Sequence, residues 1–176
     1  GDTLTALGDL ARFWRARFSI PVVAITGSSG KTTTKEMAAA IMGREKRLLK
    51  NEGNLNNLVG LPMTLFQLNE SHEVAVLEMG TNRRGEIARL TEIALPTVGV
   101  ITNVGPAHLE GLKSLETIRE EKGDLFRVMD NRGTAVINLD DEALAPWAEK
   151  WKGEKITFGI EADADVTASH ITHEGE

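Results

Sequence analysis

The chain has 176 residues, 41% hydrophobic and 26% charged, enough for one domain with its own core, and having no cysteine it has no disulfide framework and no thiolate metal site. Twenty basic against 26 acidic residues give a net charge of −6, and Lys and Arg gather into no stripe, which argues against a nucleic-acid partner. No apolar run approaches the ~18 residues of a membrane span and no signal-peptide succession opens the chain, so a soluble cytoplasmic protein without membrane insertion is expected.

Leu4, Leu7, Ala11, Trp14 and Phe18 recur at helical spacing, which predicts a leading helix or linker over residues 1–19. From residue 20 onward short apolar runs alternate with helix-patterned segments. The runs "PVVAIT", "KRLLK", "EVAVLEM", "TVGVITNV", "GTAVINL" and "KITFGI" read as strands, and helices are expected near 31–43, 57–68, 84–94, 114–129 and 141–151. Such alternation implies an α/β fold, a mostly parallel sheet flanked by helices, with its ligands beyond the carboxyl ends of the strands. The tail "ADADVTASHITHEGE" alternates weakly like a strand with no evident partner, so the domain over 20–176 is expected to be incomplete at its C-terminus.

The first strand runs into "GSSGKTT", residues 27–33. A small-residue loop after a buried strand and before a helix is the setting of a P-loop, and it suits a phosphate site better than an ordinary glycine-rich turn. Gly27, Ser28, Ser29 and Gly30 let backbone N–H groups face phosphate oxygens, Lys31 brings a mobile charge, and Thr32 and Thr33 open the helix, with Thr32 placed to ligate Mg²⁺. The common pattern would put its first glycine at Ile25, so the loop is the shortened form.

Glu78 ends another buried strand, where a carboxylate can bridge Mg²⁺ to a phosphate; the alternative is an exposed loop glutamate. His108 lies in the loop after "TVGVITNV", where a lone histidine is more often solvent-facing than a ligand. Leu115, Ile118, Leu125, Phe126 and Met129 form one helical stripe with Lys122 near its centre. Either that lysine snorkels to water or it is aimed into the site, paired with phosphate or chemically altered. Asn54, Asn56 and Asn57 follow Gly53 before a helix, and three asparagines exceed what one cap needs.

With these residues the chain resembles the central, ATP-binding domain of the Mur ligases, most closely the type that adds D-Ala-D-Ala. The matching stretches are "TGSSGKTTTKEM", "GNLNNLVGLPMTL", "LEMGTNRRGEIARL", "ITNVGPAHLEGLKSLETI" and "EKGDLF", in family order over about residues 20–140. The resemblance implies a P-loop-NTPase-like fold, ATP held by residues 27–33 with Lys31 on the transferring group, and two Mg²⁺ sites, Thr32 with Glu78 at the first and His108 at the second. It implies a carbamate on Lys122 as a further metal ligand and Asn54 near the reacting phosphate. The implied reaction is phosphorylation of the terminal carboxylate of UDP-MurNAc-tripeptide and attack on the acyl phosphate by D-Ala-D-Ala, in a monomer. The uridine-binding and closing domains of such ligases are not found in these residues, so the chain alone is expected to be inactive as a ligase. Another Mur-type ligase or a folylpolyglutamate synthetase is the alternative within this chemistry. A P-loop switch module is the alternative outside it, although Asn-Lys-x-Asp does not occur.

Overall fold

A computed structural model describes residues 1–105 and 114–172; His108 lies outside the described residues. In chain order the elements are α1 (Thr3–Arg15), β1 (Val22–Thr26), α2 (Lys31–Met42), β2 (Leu48–Lys50), α3 (Gly60–Leu65), β3 (Val74–Glu78), α4 (Glu86–Ala94), β4 (Val98–Ile101), α5 (Leu115–Met129), β5 (Thr134–Asn138), α6 (Ala145–Lys150), β6 (Glu154–Gly159) and β7 (Val166–Thr167).

The strands form one sheet in the order β2-β3-β1-β4-β5-β6-β7, every pairing parallel. β1 and β3 are buried at every position, which is why their sequences read as unbroken apolar runs rather than as alternation. Their alternate residues feed two cores. Val22, Ala24, Ala75 and Leu77 pack with Leu61, Ile87, Leu90 and Phe126 from helices on one face, whereas Val23, Ile25, Val76 and Val100 pack with Ala38 and Met42 of α2 on the other. From β1 the chain moves towards one edge to make β2, and from β4 it moves towards the other. The crevice beyond the carboxyl end of β1 is therefore where an open sheet of this kind accepts ligands.

Three expectations need adjustment. Leu4 and Leu115 are exposed, because each stands in the first turn of its helix before the helix meets its neighbours, whereas Arg15 is buried. The Arg15 guanidinium donates to the carbonyls of Ala94 and Ile20, each at 3.0 Å, satisfying the open C-terminus of α4. Burial lowers the pKa of that guanidinium from its ordinary value. The weak tail strand does find a partner: β7 pairs in parallel with β6. Among the described residues no helix is long and apolar enough to cross a membrane.

Candidate phosphate and metal site

The loop between β1 and α2 is held open by its own backbone chemistry. Gly27 has φ 149°, and a Cβ there would lie 1.9 Å from Thr102 Oγ1, so only glycine fits against the end of β4. The Ser28 N–H donates to the Asn103 carbonyl and the Ser29 N–H to Asn103 Oδ1, both at 3.0 Å. The Ser28 hydroxyl donates to the Gly105 carbonyl at 2.9 Å and accepts the Gly105 N–H at 3.0 Å. The loop is thus stitched to β4 before any ligand arrives. Gly30 precedes α2 with φ 76° and supplies no side-chain cap. The first-turn N–H groups of α2, those of Lys31, Thr32 and Thr33, have no intrahelical acceptor, and the positive end of the helix dipole adds to them.

Lys31 is half-buried and its ammonium donates to the Gly27 carbonyl at 2.9 Å. Desolvation lowers its pKa, and the nearby Glu78 charge opposes the shift. Thr32, exposed at the start of α2, donates its hydroxyl to Glu78 Oε2 at 2.8 Å. Glu78 is buried at the end of β3, and its second oxygen accepts Asn56 Nδ2 at 2.7 Å. A hydroxyl and a carboxylate held together are hard oxygen donors that suit Mg²⁺, provided phosphate and water complete its shell. Among the described residues no cluster of three His, Asp or Glu side chains could hold a metal by itself, so the oxygens of a ligand would be needed.

The three asparagines have three different settings. Asn57 Oδ1 accepts the N–H groups of Val59 and Gly60 at 3.0 and 2.9 Å and so caps the start of α3. Asn56 reaches Glu78 as described. Asn54 is exposed, and among the described residues its side chain makes no hydrogen bond.

Lys122 lies on α5 with 1% of its surface exposed, and its Nζ has no hydrogen-bond partner among the described residues. Its pKa falls to about 8, first through desolvation and then through the charge of Lys31, while Glu121 and Glu86 pull it upward. The hydrogen bond from Thr32 to Glu78 brings the start of α2 to the end of β3. The neighbouring Glu121 is fully engaged, accepting the N–H groups of Gly85 and Ile87 at 2.6 and 2.8 Å, and it ties the β3–α4 loop to α5. Beside the crevice a cleft of about 500 Å³ is lined by Val104, Arg119 and Asp141.

Sequence reasoning missed Asn51, Asn103 and Glu121. Asn103 follows a strand that ends at the same edge, which was a usable signal; Asn51 and Glu121 look like ordinary polar residues until their backbone partners are known.

The chain belongs to the Mur ligase middle domain family, whose model matches residues 25–176. It is 44% identical over 176 residues to the UDP-N-acetylmuramoyl-tripeptide--D-alanyl-D-alanine ligase of Synechocystis sp., a match covering 99% of this chain and 38% of that protein. Among solved structures, MurF from Acinetobacter baumannii superposes with a TM-score of 0.92 at 38% identity, over 98% of this chain and 38% of the other. MurF ligase from Thermotoga maritima, solved in complex with ADP, superposes with a TM-score of 0.84 at 37% identity, over 92% of this chain and 38% of the other. The chain therefore spans about 38% of the length of each of these relatives.

Proposed function

We propose that this chain is the ATP- and Mg²⁺-binding part of an ADP-forming ligase of peptidoglycan precursor synthesis, one that joins D-Ala-D-Ala to UDP-MurNAc-tripeptide. The observation that carries this reading is the Thr32 hydroxyl held on the Glu78 carboxylate at the start of α2, next to the Lys31 ammonium and the loop amides that follow β1. The relatives named above support the choice of substrates.

In this reading the amides of residues 27–33 hold the phosphates, and Lys31 leaves the Gly27 carbonyl to follow the transferring phosphoryl group. Thr32 and Glu78 hold the first Mg²⁺, and His108 with Lys122 the second. Bound Mg²⁺ supplies charge that lets a triphosphate and a carboxylate approach one another. Asn54, exposed on the same loop as Asn56, is free to reach the reacting phosphate.

Lys122 takes its role through its surroundings. With a pKa of about 8, roughly a tenth of the amine is neutral at pH 7, far more than for a solvated lysine. The neutral amine adds to the carbon of CO₂ and releases one proton, leaving a carbamate whose oxygens are metal ligands. This accounts for a buried cation that has no hydrogen-bond partner among the described residues.

Residues 1–19 act as a leading helix packed on the ATP-binding body formed from residue 20 onward, and the enzyme works in the cytoplasm as a monomer, touching neither nucleic acid nor membrane. The uridine nucleotide and the amine substrate are held by chain beyond these residues, so the isolated 176 residues are inactive as a ligase. The test is ADP release by the full-length enzyme offered D-Ala-D-Ala, single amino acids or glutamyl folates. D-Ala-D-Ala alone should support turnover, and Lys31→Ala should abolish it; turnover with a glutamyl folate instead would move the enzyme to the folylpolyglutamate synthetases.

A further inference from the structure

β2 ends too soon for β3. Their register runs to Lys50 opposite Val76, yet β3 continues two residues further to Glu78. In a parallel ladder the backbone groups of alternate residues face alternate neighbours, and the Met79 N–H is the one that reaches β1, at the Ile25 carbonyl. The Glu78 N–H and C=O therefore face the side that β2 has left. Buried peptide groups need partners.

The partner is a side chain. Asn51, with no exposed surface, accepts the Glu78 N–H on Oδ1 and donates from Nδ2 to the Glu78 carbonyl, both at 2.9 Å. Its carboxamide is chemically a peptide group and stands where the next β2 peptide would have been. Because the side chain completes the ladder, the main chain is free to turn away at Asn51. The turn is held by a third bond, from Asn51 Nδ2 to the Leu55 carbonyl at 2.9 Å. That turn brings Asn56 onto the Glu78 carboxylate and onto Gly80, where a Cβ would lie 2.7 Å from Asn56 Oδ1.

Asn51 is itself held from the phosphate loop. Lys35, fully buried on α2 one turn past Lys31, donates from Nζ to the Asn51 carbonyl at 2.8 Å. The helix that begins at the phosphate loop and the carboxylate at the end of β3 are thus tied through one residue.

We infer that Asn51 is a positioning residue for the Glu78 carboxylate, locked in register with the phosphate loop by Lys35. Asn51 touches neither nucleotide nor metal; it fixes the backbone from which the carboxylate projects, so that Glu78 and Thr32 stay together. The role rests on the reading of Glu78 as a Mg²⁺ ligand, whereas the backbone clamp does not.

Two measurements on the 176-residue chain test this. The first is residue-resolved amide exchange. In the wild type the Glu78 amide should be protected as well as that of Val76, and Asn51→Ala should speed its exchange by ~10-fold or more relative to Val23 of β1. Rapid exchange at Glu78 in the wild type overturns the clamp, and this arm needs no variant to fold.

The second is ADP affinity with Mg²⁺ and with EDTA. The ratio of the two affinities should fall ~10-fold in Asn51→Ala and less in Lys35→Met, the size typical when a group orienting a metal ligand is removed. A merely structural role would weaken both affinities and keep the ratio. A ratio unchanged in both variants but lost in Glu78→Gln overturns the positioning role. If Glu78→Gln retains the ratio, the metal reading has failed and the role falls with it, while the exchange result still decides the clamp.

Discussion

Among the described residues two lysines are sealed inside this domain, one on each side of the sheet, and they are treated in opposite ways. Lys35 on α2 has the Asn51 carbonyl at 2.8 Å and the Glu36 carboxylate at 3.0 Å; Lys122 on α5 has no hydrogen-bond partner among the described residues. A buried ammonium is costly unless its hydrogens are met, so the first is a structural tie and the second a cost carried for another purpose. The contrast separates a buried lysine that ties α2 to Asn51 from one that no described residue meets.

The largest effect should come from the satisfied lysine. Lys35→Met removes a charged donor and leaves the Asn51 carbonyl buried without it, and chemical denaturation should show a loss of about 3–5 kcal/mol.

The orphaned lysine should behave in the reverse sense. Lys122→Met removes a buried charge that none of the described residues meets, and it should stabilise the chain by up to ~3 kcal/mol at pH 7, in buffer free of CO₂. The folded-state pKa of about 8 lies below the ordinary 10.5. Between these values the unfolded chain holds a proton that the folded one has lost, so wild-type stability rises with pH there. The gap between wild type and Lys122→Met should accordingly close from pH 8 to pH 10.5 and stay constant below that window. With ¹³C-labelled bicarbonate added, wild type should give a carbamate carbon resonance that Lys122→Met lacks; the same resonance surviving in Lys122→Met would place the carbamate elsewhere.

The smallest effect belongs to cations that water already serves. Arg84 pairs with Glu120, but both side chains are well exposed. Arg84→Ala should shift the denaturation midpoint by no more than about 0.5 kcal/mol.

Much of this arrangement was legible in the residue order. β1 and β3 stood out because central parallel strands are apolar on both faces, and Lys122 stood out because it interrupts a helical stripe. The same stripe reasoning placed Leu115 inside, since periodicity says which face a residue shares but not where along the helix contact begins. The burial of Arg15 was invisible, because one of the carbonyls it satisfies, that of Ala94, belongs to a helix end about 80 residues away in sequence. Asn51 was invisible for a related reason: its value depends on β2 stopping before β3 does, and strand length is settled by neighbours that a local pattern does not contain. The contact of Asn56 with Glu78 was not legible either, because Asn56 stands in one short polar stretch with Asn54 and Asn57 and its partner comes from β3.

The central claim is that Lys31, Thr32 and Glu78 form one cradle for a magnesium nucleotide. Thermal unfolding of the 176-residue chain with increasing ATP and Mg²⁺ tests it most directly, because a ligand bound only by the folded form must raise the midpoint. The account predicts a rise of about 3–6 °C once nucleotide reaches roughly ten times its Kd, and none in Lys31→Ala or Glu78→Gln. A wild-type midpoint that stays flat at millimolar nucleotide, or an equal rise in all three proteins, would contradict it.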